Sequence, residues 1–264
     1  MEQNNFNKHN NGNANQYQYN NYPNNNQYGN MNTKYNAIED QNNSNYDQPI
    51  DLELRKGFIQ KVFGILSAQL LLTAFLCLLS MNNSDVRLFQ KQNKAIFYLA
   101  IGVAVVISLT LFCFINVARK VPVNYFLLFL FTLAKGYLVS YICIMTTPKV
   151  VIMALAMTCA IVVWLTVYAF TTKTDFTGYG HYLFIASIVM LLCGIFLTST
   201  NNKVIHVIFS GISVLIFSIY LIYDVQLIAG NYESKLDYDD YIIGAIMLYI
   251  DIIAIFENIM NILR

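Results

Sequence analysis

Seven stretches of almost unbroken apolar residues run along the chain, at roughly 58–80, 95–117, 123–145, 150–170, 181–200, 204–228 and 241–262. Each has about the 20 residues that a helix needs to cross a ~30 Å hydrocarbon core. The pattern therefore predicts an all-α membrane protein with seven transmembrane helices, here numbered spans 1 to 7. Polar punctuation separates them: Asn82-Asn83-Ser84-Asp85, Arg119-Lys120-Val121-Pro122, Thr146-Thr147-Pro148-Lys149, Lys173-Thr174-Asp175, Asn201-Asn202-Lys203, and the acidic stretch from Glu233 to Asp240. These breaks are short, so consecutive helices should be antiparallel neighbours. Ala100 with Ala104, and Ala156 with Ala160, put small residues at a spacing that allows close helix contact.

The 264 residues are 56% hydrophobic and 12% charged, a balance that excludes an ordinary soluble domain. A net charge of +1 gives no electrostatic footprint for nucleic acid. Cys77, Cys113, Cys143, Cys159 and Cys193 all fall inside apolar spans and read as small packing residues, not a disulfide framework. Residues 1–54 have the opposite character. Eighteen of the first 50 are Asn, interleaved with Gln and Tyr, and such a segment has too few aliphatic residues to bury a core, so a disordered Asn/Tyr-rich tail is expected ahead of a transmembrane domain at 55–264. The chain opens without a basic region, short apolar core and cleavage site, so span 1 is expected to act as the insertion signal. Arg55, Lys56 and Lys61 flank that span and favour a cytosolic tail, although the basic residues of the loops divide almost evenly between the two sides.

Apart from Lys61 in the opening turn of span 1, the formally charged side chains inside the spans are Lys135, Asp224, Asp251 and Glu257. A charge at the centre of a bilayer costs roughly 2.5–3.5 kcal/mol on insertion scales, so these residues are the first candidates for function. At 100° per residue, Ser210, Ser213, Phe217 and Tyr220 lie within about 40° of Asp224, so one face of span 6 carries hydroxyl groups leading to a carboxylate. On span 7, Gly244, Asp251 and Asn258 share a stripe, with Glu257 about 120° away. Ser210, Ser213, Tyr220 and Asn258 are thus candidates to line a pathway, and Asp224 with Asp251 a carboxylate pair that binds a cation or shares a proton. Measured from the span ends, the two aspartates differ in depth by roughly 6–9 Å, which helix tilt or a deeper start for span 7 must close. Lys135, midway along span 3, calls for a counter-ion among the intramembrane carboxylates. His181 and His206 lie near span ends and read as interfacial hydrogen-bonding groups. No metal-ligand cluster, phosphate loop or Gly-x-Ser-x-Gly motif is present, and no cofactor is expected. Two intramembrane aspartates do suggest an aspartyl protease, but Leu248-Tyr249-Ile250 precede Asp251 where those enzymes have Gly-x-Gly.

Phe58-Ile59-Gln60-Lys61-Val62-Phe63-Gly64, Arg119-Lys120-Val121-Pro122-Val123-Asn124-Tyr125, Thr172-Lys173-Thr174-Asp175-Phe176-Thr177, Tyr223-Asp224-Val225-Gln226-Leu227-Ile228 and Leu248-Tyr249-Ile250-Asp251-Ile252-Ile253 resemble segments of the Bax inhibitor / Lifeguard family of seven-helix membrane proteins. The resemblance runs in order through residues 55–264 and leaves out the tail. It implies a fold in which the seventh helix is surrounded by the other six, and an aspartate pair, here Asp224 and Asp251, forming a pH-sensitive gate that calcium meets transiently. It also implies a multi-pass protein of the endoplasmic reticulum or Golgi that leaks stored calcium and opposes stress-induced death. Two departures stand out: family members usually carry Glu at the position of Lys135 and a neutral residue at that of Glu257, and these two opposite charges are therefore expected to pair across spans 3 and 7.

The expected function is therefore a pH-sensitive, non-enzymatic calcium leak that favours cell survival, with calcium ions, protons and the lipid bilayer as its partners. The rivals are a non-conducting scaffold that binds cell-death regulators or other membrane proteins and, behind it, the protease.

Overall fold

A computed structural model describes residues 26–197, 200 and 202–264, with side chains from Asp51 onward. The chain divides into two units, Met1–Pro49 and Ile50–Arg264. Helix α1 is drawn from Asn26 to Asn82, so the boundary placed at residues 54 and 55 falls inside it. The disorder expected for residues 1–25 lies outside the described residues.

The second unit is all-helical. After α1 come α2 (Ser84–Gln92), α3 (Lys94–Cys113), α4 (Ile115–Ala118), α5 (Val123–Ile144), α6 (Pro148–Thr171), α7 (Gly180–Leu197), α8 (Lys203–Ala229) and α9 (Tyr241–Leu263). Seven of them are long and apolar enough to cross a membrane: α1 from Asp51, then α3, α5, α6, α7 with the turn before it, α8 and α9. Two short helices depart from the expected pattern. The break after α1 is helix α2, started by Asn83, whose side chain accepts hydrogen bonds from the N–H groups of Asp85 and Val86. Span 2, expected to reach 117, ends at Cys113 because Phe114 leaves the helical region (φ −115°, ψ 76°) before α4 begins.

Local chemistry sets the other ends. Pro148 occupies the first turn of α6, where its missing N–H is no loss. Asn202 caps α8 by accepting from Val204 N–H at 3.0 Å. The same helix stops at Gly230, whose φ of 70° is the left-handed conformation that glycine adopts most readily.

Lipid tails are as apolar as leucine, so packing and polar contacts decide which helix sits inside. Helix α9 is the innermost: two-thirds of its most apolar window is buried (67%), against 6% for α7. Helix α9 packs on α5, α6 and α8 and reaches α1 through a 2.7 Å bond between Tyr249 and Thr73. Six helices were expected around span 7; α1, α5, α6 and α8 are seen in contact with it among the described residues. Helix α3 lies against α5, and α7 against α8.

Candidate functional site

Helices α8 and α9 are antiparallel, and the loop between them sets their relative depth. The chain turns at Gly230 and folds back, so that Leu236 N–H donates to Leu227 O at 3.1 Å. Gly244 then comes level with Ile228; a Cβ on Gly244 would lie 3.3 Å from Ile228 Cγ1 and 3.4 Å from Val62 Cγ2. From that level Asp224 is four residues into the bundle, about 6 Å, and Asp251 seven residues, about 10.5 Å. Side-chain length and helix crossing close the remaining few ångströms and bring the two carboxyl groups within reach of each other.

Both aspartates are buried, at 3% and 4% exposure, and Asp224 Oδ1 and Asp251 Oδ2 have no hydrogen-bond partner. A bond between two carboxyl groups requires a proton on one of them. Ionising both in an apolar interior would set two like charges side by side. The arrangement can therefore hold one proton between two groups, and when it releases that proton it presents hard, unpartnered oxygens to a cation. Among the described residues no group of three or more His, Cys, Asp or Glu gathers to hold a metal ion. Calcium takes six to eight oxygens in a stable site, more than two carboxylates supply.

The other predicted residues separate. Ser210 is buried and lines a cavity of about 460 Å³ at the end of the bundle where α8 starts and α9 stops, together with Thr200, Lys203, His206, Asn261 and Arg264. His206 Nε2 lies 2.7 Å from Thr200 O there. Ser213, one turn deeper, donates to Phe209 O at 2.8 Å. Tyr220 donates to Leu183 O on α7, so its hydroxyl is committed to a neighbouring helix. Asn258 donates to Ala254 O at 2.8 Å on its own helix, because a short polar side chain in lipid finds its nearest acceptor in the preceding turn. Lys135 and Glu257 do meet: Nζ and Oε1 are 3.8 Å apart, each side chain 23% exposed. Their contact joins α5 to α9.

Sequence reasoning missed the residues that hold the opposite end together. Arg55 is buried; its Nη1 donates to Leu236 O at 3.0 Å and to Ile228 O at 3.5 Å, and its guanidinium lies 4.6 Å from the Tyr238 ring and 5.2 Å from that of Phe58. The free carbonyls at the end of α8 carry partial negative charge, and a cation there is stabilising. Arg119 grips the same loop, with Nε 2.7 Å from Asp240 Oδ1 and one Nη nitrogen 2.8 Å from Asp240 Oδ2 and 2.7 Å from Asp237 Oδ2. Asp240, and then Asp237, hold this guanidinium even more firmly protonated than usual. Gln226, two residues from Asp224, ties down the loop before α7: its Oε1 accepts from Phe176 N–H at 2.7 Å and its Nε2 donates to Thr174 O at 2.9 Å. Gln226 stood in a family segment, and the signal for Arg119 was the acidic run from Glu233 to Asp240. Arg55 was read only as a flanking charge.

A seven-helix membrane bundle with an acid pair buried between its last two helices defines the class of this protein. Comparison with known sequences narrows it. Residues 55–264 match the family model described as inhibitor of apoptosis-promoting Bax1. The chain is 34% identical over 218 residues to protein lifeguard 3 of Homo sapiens, covering 81% of this chain and 70% of that protein. It is 34% identical to a BI1-like protein of Arabidopsis thaliana, covering 80% and 82%, and 32% identical to Protein LIFEGUARD 2 of the same plant, covering 80% and 89%. The chain belongs to the Bax inhibitor and lifeguard family of multi-pass membrane proteins.

Proposed function

We propose that this protein is a proton-gated calcium leak in an intracellular membrane, of the endoplasmic reticulum or Golgi, and that it favours cell survival under stress. The tail of α1 faces the cytosol. The observation that carries the reading is the burial of Asp224 and Asp251 beside each other in an apolar interior, with one oxygen of each left unpartnered. Protonated once, the pair closes on itself and holds α8 against α9; fully ionised, it repels itself and attracts a divalent cation. The cavity at Ser210 supplies a polar mouth on the far side. Lys135 does not oppose conduction, because Glu257 neutralises it on a face of α9 about 120° from Asp251. The survival role is carried over from the family description, inhibitor of apoptosis-promoting Bax1.

The scaffold reading draws on α7, whose apolar surface is almost wholly outward-facing and offers a neighbouring membrane protein a wide contact. The protease reading has weaker support, since Leu248 and Ile250 stand where those enzymes have the two glycines of Gly-x-Gly-Asp.

Calcium flux into liposomes containing the purified chain tests the proposal. The wild type should leak at a rate that changes from mildly acidic to mildly alkaline pH. Asp251→Asn keeps the shape and removes one titrating group, so its leak should be flat across that range. Flux and pH dependence unchanged in both Asp251→Asn and Asp224→Asn would show that the acid pair is structural; no flux at all in the wild type would favour the scaffold.

A further inference from the structure

Helices α1 and α5 run in the same direction and lock in a regular register. Gln69 Nε2 donates to Thr132 Oγ1 at 3.0 Å across a separation of 63 residues. One turn on, Thr73 faces Gly136, again 63 residues away; a Cβ on Gly136 would lie 3.6 Å from Thr73 Cα and 2.7 Å from Leu76 Cδ1. The missing side chain brings the two backbones close. Thr73 Oγ1 spends its proton on Gln69 O at 2.9 Å, so Tyr249 of α9 donates the bond between those two hydroxyls. A further turn along the same stripe is Cys77, and two turns beyond Gly136 is Cys143. Their sulfurs are 3.9 Å apart, with the Cys143 thiol directed at Cys77.

Cys143 is buried and Cys77 half-buried, whereas Cys113, Cys159 and Cys193 are exposed. Cys77 lies five residues before the end of α1 and Cys143 one residue before the end of α5, so both sit within about 7.5 Å of the helix ends on one membrane face. With the tail cytosolic, that face borders the organelle lumen, where disulfides persist.

We propose that Cys77 and Cys143 are a reversible dithiol–disulfide pair that staples α1 to α5. Closing the sulfurs to about 2.05 Å asks for a movement of about 1.9 Å, within reach of side-chain rotation and a small slide along the glycine contact. The oxidant is a low-molecular-weight disulfide. Cys77, the more accessible, attacks one of its sulfurs; a mixed disulfide forms and the first small thiol leaves, taking the cysteine proton. Cys143 then attacks Cys77 Sγ, the second small thiol leaves with the second proton, and the Cys77–Cys143 bond remains. Two protein thiols are oxidised and one disulfide is reduced to two thiols. The inference does not depend on calcium conduction.

The test uses the full chain in lipid vesicles, equilibrated against glutathione buffers from fully reduced to fully oxidised, then acid-quenched, alkylated with N-ethylmaleimide and digested without reductant. Mass spectrometry should show the Cys77–Cys143 linked peptide rising from trace to the main form of both residues, and reverting with dithiothreitol. Cys143→Ser should instead leave Cys77 carrying glutathione. Alkylated Cys77 and Cys143 at every buffer ratio, or linkage no more frequent than to Cys113, Cys159 or Cys193, would overturn the proposal.

Discussion

Lys135 and Glu257 show how a charge deep in a span finds its partner. A lysine at the centre of a 22-residue helix is too deep to reach water easily, so it needs an acid. Glu257 is the expected one because both charges stand where the family pattern lacks them, and the structure puts the two 3.8 Å apart. With both side chains about a quarter exposed, the pair is partly wetted, and its worth lies mainly in what is lost when one partner is removed. Lys135→Glu sets two acids against each other and should lower stability by about 1–3 kcal/mol. Adding Glu257→Lys restores the pair in reverse and should recover most of that loss. Thermal unfolding in detergent reads both variants, and equal damage in the single and the double mutant would mean that the charges act independently. The acid pair was legible for a similar reason, scarcity of charge in lipid. Its geometry was not, because the depth of α9 depends on a loop that folds back through the Leu236–Leu227 bond, and no span-counting rule contains that bond.

At the scale of elements, the seven long helices were plain from apolar run length, and most observed ends fall within three residues of the expected ones. Helix α2 was hidden because its length and polarity resemble a loop; its signals were the Asn83 cap, Asp85 in the first turn and Lys91 in the last. The seat of Arg55 at the end of α8 could not be read from sequence, since its acceptors are backbone carbonyls more than 170 residues away. That junction is tight. Gly230 has a φ of 70°, and a Cβ there would lie 2.6 Å from Arg55 Nε. Gly230→Ala should therefore cost about 1–2 kcal/mol from the left-handed backbone alone, with displacement of Arg55 adding to it. Paired with Arg55→Ala, the same substitution should show only the backbone part in a double-mutant cycle. If Gly230→Ala melts with the wild type, the α8 end is not the rigid junction described here.

Across the whole molecule, stability should be concentrated where the helices converge. Burial is uneven to a degree that hydropathy alone does not reveal: α7 and α9 are both strongly apolar, yet one faces lipid along nearly its whole length and the other is mostly enclosed. What distinguished them in sequence was the polar content of α9, since Gly244, Tyr249, Asp251, Glu257 and Asn258 are residues that a lipid-facing helix has no means to satisfy. Ile246 is fully buried on α9, whereas Ile188 on α7 is 45% exposed. Truncating Ile246 to Ala leaves a void among helices that cannot collapse around it without breaking polar contacts, and should cost about 2–4 kcal/mol. Ile188→Ala only exchanges a methyl-rich surface for lipid tails, which fill the space, so its unfolding temperature should stay near that of the wild type. Both variants keep every charge and hydrogen bond, so the comparison isolates packing. Equal destabilisation by the two would mean that α7 is buried by another surface in the membrane, which is the outcome expected of the scaffold reading and not of a self-contained leak.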